Sequence, residues 1–168
     1  MKKLVLPILL FMSILVNAQN NGSCNCCSEN HKAFDFWIGE WEVTNYNNGK
    51  PAGSSVISRE EDGCVIRENW TSAQAGYTGT SMNFYNAGTG LWEQLWVDNA
   101  GAILKLKGNR VENQMILTSD EFIKEDGKKY RNRITWTKLE DGSVRQLWEV
   151  FQGETVVSTA FDGLYKRK

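Results

Sequence analysis

A chain of 168 residues with 41% apolar side chains is the size of one domain and can bury one ordinary core. Its 19 Lys+Arg against 20 Asp+Glu exclude the basic footprint of a nucleic-acid binder or of a protein held on an anionic membrane. Seven Trp are many for this length, so aromatic surface must be buried or presented to a ligand.

The first segment reads as an address. Lys2 and Lys3 form a positive start, and Leu4 to Val16 is an apolar stretch broken only by Pro7 and Ser13. Val16-Asn17-Ala18 then offers a cleavage site, so residues 1–18 are expected to be a signal peptide and Gln19 the mature N-terminus. The apolar run is short for a bilayer span, and Asn21-Gly22-Ser23 before Cys24 fits a lipid-anchor site poorly. Export to the periplasm or the medium follows, with no membrane insertion after cleavage. Removing Lys2 and Lys3 with the leader leaves 17 basic against 20 acidic residues, a net charge of −3.

Residues 19–33 are polar and rich in Asn and Ser, and read as a Cys-containing linker. Cys24, Cys26, Cys27 and the distant Cys64 make an even number, which an oxidising compartment favours as disulfides. Neighbouring Cys26 and Cys27 are poorly placed to bridge each other, so one of them is expected to reach Cys64 and staple the N-terminal arm to the domain. Cys24, Cys26, Cys27 and His31 could also ligate a metal, but their spacing matches no zinc pattern, and no metal is expected.

Residues 34–168 read as one all-β domain with little helix. No stretch carries a sustained helical period. Short β-type runs are divided by Asn48-Gly49, Asp62-Gly63, a loop from Ser72 to Gly79, Gly88-Thr89-Gly90, Asn99-Ala100-Gly101, Gly108-Asn109, a charged loop from Ser119 to Lys128, Asp141-Gly142 and Gln152-Gly153. Asn-Gly and Asp-Gly supply the positive φ of tight hairpins. Nine dividers imply about ten strands. A meander of that length removes its edges by closing into a single antiparallel up-and-down β-barrel, and such a barrel leaves room for one small ligand. A two-sheet sandwich would bury the same residues without a cavity.

Three of the runs share a pattern. Glu68-Asn69-Trp70, Gln94-Leu95-Trp96 and Gln146-Leu147-Trp148 each place a carboxyl or amide two residues before a Trp, and positions i and i+2 of a strand share a face. The middle run extends the alternation to Trp92, Gln94, Trp96 and Asp98, and another offers Ser81, Asn83 and Tyr85. Turned inward, this face makes a pocket with flat apolar walls and a few fixed hydrogen-bonding groups. The alternative is that the Trp residues are core and the polar groups satisfy one another.

The domain opens on Phe34-Asp35-Phe36-Trp37-Ile38-Gly39-Glu40-Trp41 and ends on Phe161-Asp162-Gly163-Leu164-Tyr165-Lys166-Arg167. The G-x-W of Gly39-Glu40-Trp41 resembles that of the lipocalin and calycin barrels. The resemblance implies that Trp41 closes one barrel end beneath Lys166 or Arg167, in a cation–π contact. With D-G-C, E-N-W, W-V-D-N, R-I-T-W, V-R-Q-L-W-E and F-D-G-L-Y, the opening looks like that of a family of uncharacterised secreted bacterial proteins, over about residues 26–167. It implies a fold and no reaction. Nitrobindin-like barrels hold haem through a His, whereas the single His31 precedes the first strand here, and no cofactor is expected.

Three classes of function stay open. One is an exported protein that binds a small molecule through Trp41, Glu68, Trp70, Asn83, Tyr85, Trp92, Gln94, Trp96, Gln146 and Trp148. Another is a barrel lyase or isomerase using buried carboxylates such as Glu68 and Asp98. The third is an envelope interaction module with a filled barrel. With His31 outside the pocket, no Ser-His-Asp or Cys-His arrangement forms, and no catalytic residue is assigned.

Overall fold

The structure, a computed structural model, describes residues 24–168. The expected signal peptide, its cleavage after Ala18 and residues 19–23 of the expected linker lie outside the described residues. Eleven strands follow a short helical lead-in: β1 (Gly39–Asn45), β2 (Pro51–Glu60), β3 (Val65–Ser72), β4 (Thr78–Asn86), β5 (Leu91–Asp98), β6 (Ile103–Val111), β7 (Gln114–Thr118), β8 (Phe122–Ile123), β9 (Lys129–Lys138), β10 (Val144–Gln152) and β11 (Thr155–Arg167). Each strand pairs antiparallel with its neighbours, β9 pairs β10, and β11 returns to β1, so ten strands close a barrel. Strand β8 is the extra one, a two-residue ribbon that pairs only with the start of β9.

Most of the turn signals fall between strands. Gly108-Asn109 does not: both residues lie within β6, where Gly108 pairs with Trp92 on one side and Leu117 on the other. The glycine admits a close approach of backbones, since a Cβ there would strike the Ile116 carbonyl. The chain turns instead after Val111, where Glu112 takes φ +53°.

Because the strands alternate in direction, the turns fall into two sets at opposite ends. The ends of β2, β4, β6, β9 and β11 meet the starts of β1, β3, β5, β7 and β10 at one end, and the lead-in segment packs across it. Phe34, Trp37, Trp41 and Trp136 are fully buried there. Phe34 stacks on Trp37 at 4.9 Å and meets Trp92 and Trp136 edge-on at 5.7 and 5.2 Å. Such pairs add to the area they bury. The G-x-W has a physical reason here. Arg167, not Lys166, lies over the Trp41 ring, 4.6 Å from its centroid, and donates to the Ile38 carbonyl at 3.1 Å. Its guanidinium crosses the space that a Cβ on Gly39 would fill.

The cysteine-containing segment is folded rather than extended. Ser28 caps the four-residue helix α1 (Glu29–Lys32), and a 3₁₀ turn covers Asp35–Trp37. Cys26 is bonded to Cys64 beside the β2–β3 turn, and Cys27 closes a small loop to Cys24. Asp35 pairs with Arg59, and Arg59 also donates to the Gly63 carbonyl at 2.7 Å. No helix among the described residues is long and apolar enough to cross a membrane.

Candidate functional site

Opposite the plugged end, the barrel holds a cavity of about 260 Å³. Its walls are the indoles of Trp70, Trp96 and Trp148 with Phe161, Leu104 and Ile134. Glu68, Gln94, Gln146 and Tyr165 supply its inner polar surface, and Ala52, Ser72, Gln74 and Tyr77 its boundary toward the β1–β2 and β3–β4 turns, with Ala160 of β11 beside them. All three polar-x-Trp repeats therefore reach one space, from β3, β5 and β10.

Two walls stand on glycine. A Cβ on Gly79 of β4 would occupy the place of the Trp96 indole, and one on Gly53 of β2 would come within 2.7 Å of the Trp70 ring. Both glycines face inward, diagonal to the Trp on the neighbouring strand. The indoles can lie along the wall because no side chain holds them off it. Trp148 is fixed differently: its Nε1 donates to Asn132 Oδ1 at 2.8 Å.

Behind the cavity runs a polar chain across four strands. Ser55 of β2 and Ser81 of β4 donate to the two oxygens of Glu68, at 3.1 and 3.0 Å. Asn83 Nδ2 donates to Ser81 Oγ and to the Ile66 carbonyl, both at 3.0 Å. The carbonyl can only accept, so it fixes the Asn83 amide. Asn83 Oδ1 must then accept from Gln94 Nε2, which it does at 2.7 Å. Gln94 lines the cavity, and its Oε1 makes no hydrogen bond among the described residues. On the far wall the Tyr165 hydroxyl donates to Gln146 Oε1 at 2.5 Å.

Glu68 is 4% exposed and has no basic partner among the described residues. Burial pushes its carboxyl up from 4.5 to about 7, although the Ser81 and Ser55 hydroxyls pull the other way. When it is protonated, its O–H can donate to the Ser55 oxygen, because the Ser55 hydroxyl has a second acceptor in the Asn69 carbonyl at 3.4 Å. Ser81 has no second acceptor for its own hydroxyl among the described residues, so it goes on donating to Glu68. Tyr165 is held neutral, its phenol raised well above 10 first by burial and then by the nearby Glu68 charge.

The other expected site residues lie elsewhere. Trp41 belongs to the plugged end. Trp92 Nε1 donates to the Asn30 carbonyl at 2.9 Å, and the Tyr85 hydroxyl accepts from Asn30 Nδ2 at 3.0 Å, so this pair anchors the N-terminal segment. Asn83 is fully buried and reaches the cavity only through Gln94 and Ser81. Asp98 is engaged at its hairpin, accepting from the Ala100 and Ala102 amides at 3.0 and 2.9 Å and from the Tyr77 hydroxyl at 2.9 Å. The Ala102 amide leads in holding its carboxyl below the usual range, and the same bond to Asp98, after burial, lifts the Tyr77 phenol to about 12. The cavity residues that strand patterning passed over include Tyr77, Leu104, Ile134, Phe161 and, among the inner polar groups, Tyr165. The signal for Tyr165 was the alternation of Phe161, Gly163 and Tyr165 along the last strand. Among the described residues no three His, Cys, Asp or Glu side chains cluster as metal ligands. Neither a protein-family model nor a curated protein matches the chain.

Proposed function

We propose that this is an exported binding protein whose barrel carries one small molecule, partly apolar and partly hydrogen-bonding, between Trp70, Trp96 and Trp148. Glu68, Gln94 and Gln146 fix its polar end. One observation carries the reading: three indoles and three polar groups, from strands that are not neighbours, converge on a cavity. A core built only for stability would fill that space, because an unfilled volume forfeits dispersion contacts and buried amides cost free energy. Apolar walls with few oriented polar groups are the usual make-up of a small-molecule site.

Export rests on the leader-like residues 1–18 and on the two disulfides, which an oxidising compartment preserves. The Arg167–Trp41 contact supports kinship with the lipocalin and calycin barrels. The enzyme reading is weaker, because Asp98 is occupied at its turn and leaves Glu68 without a second carboxylate.

Native mass spectrometry of protein purified from its own host tests the proposal. A noncovalent adduct is expected that is lost on unfolding, and a Leu104→Trp variant, which fills the cavity from its wall, should lack it. Protein that arrives empty, and stays empty after incubation with a small-molecule extract of that host, overturns the reading.

A further inference from the structure

We infer that the cavity is built for an organic cation, an amine whose nitrogen sits on the Glu68 carboxylate while its apolar body lies between the indoles of Trp70, Trp96 and Trp148. The inference rests on the binding function proposed above and names its ligand class.

The lining contains no Lys, Arg or His. Its one carboxyl group is Glu68, whose protein partners are two neutral hydroxyls. The elements packed around it add no positive charge. Strand β2 contributes Ser55 and Ile57, β4 contributes Ser81 and Asn83, β5 contributes Gln94, β10 contributes Gln146, and β11 contributes Tyr165, the titratable group among them. Toward the turns, Tyr77 borders the cavity and the Asp98 carboxylate behind it is taken up by the Tyr77 hydroxyl and two hairpin amides, so no base is added there. A buried carboxylate without a counter-ion is costly, and a ligand cation supplies what the fold withholds. The walls favour the same partner, because the faces of indole rings attract ammonium groups, more so where water is excluded. A metal ion fits less well. Calcium takes six to eight oxygens, and the floor offers one carboxylate whose oxygens already accept from serines.

Two consequences distinguish a cation from a neutral or acidic ligand. Anions should be rejected by the Glu68 charge. Near neutrality, where Glu68 is partly protonated, binding of an ammonium should expel the proton.

The experiment is isothermal titration calorimetry with tryptamine, tryptophol and indole-3-acetate, which share one ring and differ in the charge of the tail. At pH 8 tryptamine should bind on the order of tenfold more tightly than tryptophol, and indole-3-acetate at least about tenfold more weakly. At pH 6 the tryptamine affinity should fall about tenfold, with close to one proton released per ligand, while tryptophol stays unchanged. Repeating the titration in two buffers of different ionisation heat counts the proton in the unaltered protein. Glu68→Gln should bring tryptamine down to the tryptophol affinity, and the proton count decides the matter if that variant fails to fold. Equal binding of tryptamine and tryptophol, no proton release at pH 6, or a preference for indole-3-acetate overturns the cation and leaves the binding function standing. If none of the three binds, the cation inference falls, and the native mass spectrum described above decides the binding function separately.

Discussion

The indole of Trp96 occupies the volume that any side chain on Gly79 would need. One missing methyl group on β4 therefore keeps the Trp96 ring against the wall and the cavity open beside it. Gly79→Ala should force the ring off the wall toward the cavity it lines. Tryptophol affinity should fall at least about tenfold, and overpacking should cost about 1–3 kcal/mol in urea unfolding. A variant that binds as well as the parent would show that the ring has another place to go.

The buried carboxyl gives stability a definite pH dependence. Between 4.5 and about 7 the folded chain holds a proton on Glu68 that the unfolded chain has released. Its contribution is thus fully present below pH 4.5 and is lost as pH rises through 7. Relative to Glu68→Gln, the parent should lose on the order of 3 kcal/mol between pH 4.5 and 8. Parallel pH profiles for the two proteins in urea unfolding would contradict the buried, unpaired state of Glu68.

Gln94 and Gln146 should respond differently to Met, which keeps volume and removes the amide. Gln94→Met leaves Asn83 Oδ1 buried without a donor and should cost about 1–3 kcal/mol. Gln146→Met frees only the Tyr165 hydroxyl, which borders the cavity and can turn to water, and should cost less. Both should weaken binding. Equal costs in urea unfolding would mean that Gln146 is as deeply tied into the fold as Gln94.

The two disulfides should differ in worth. Removing Cys26–Cys64 with paired Ser substitutions releases a closure of 38 residues and should cost about 2–5 kcal/mol. Removing Cys24–Cys27, a separation of 3, should cost clearly less, because short loops have little closure entropy to restrict. The reverse order of unfolding midpoints would show that the small loop, rather than the long closure, holds the plug in place.

The barrel was legible wherever the code is local. Asn48-Gly49, Asp62-Gly63 and Asp141-Gly142 mark turns because they carry the backbone conformation a turn needs, and period-two alternation identifies the inward faces of β3, β5 and β10. What depends on tertiary context was not legible. Gly108-Asn109 resembles a turn, but its glycine serves a close strand approach, while the real turn at Glu112 has no glycine. The plug was legible only in part: the G-x-W resemblance implied that Trp41 closes one end, but a four-residue helix and a single 3₁₀ turn have no period to detect. Asp98 shares a face with Gln94 and Trp96, yet its carboxylate is claimed by the amides of its own hairpin. That competition depends on turn geometry, which alternation ignores.

The seven tryptophans divide by position. Trp37, Trp41, Trp92 and Trp136 are packed at the plugged end, and Trp70, Trp96 and Trp148 border the cavity. The protein therefore carries two populations of fluorophore. A soluble quencher should reach the three cavity indoles while sparing the other four, and a bound molecule should shield those same three. Occupancy of the barrel can then be followed by intrinsic emission, with no label attached and no knowledge of what the occupant is.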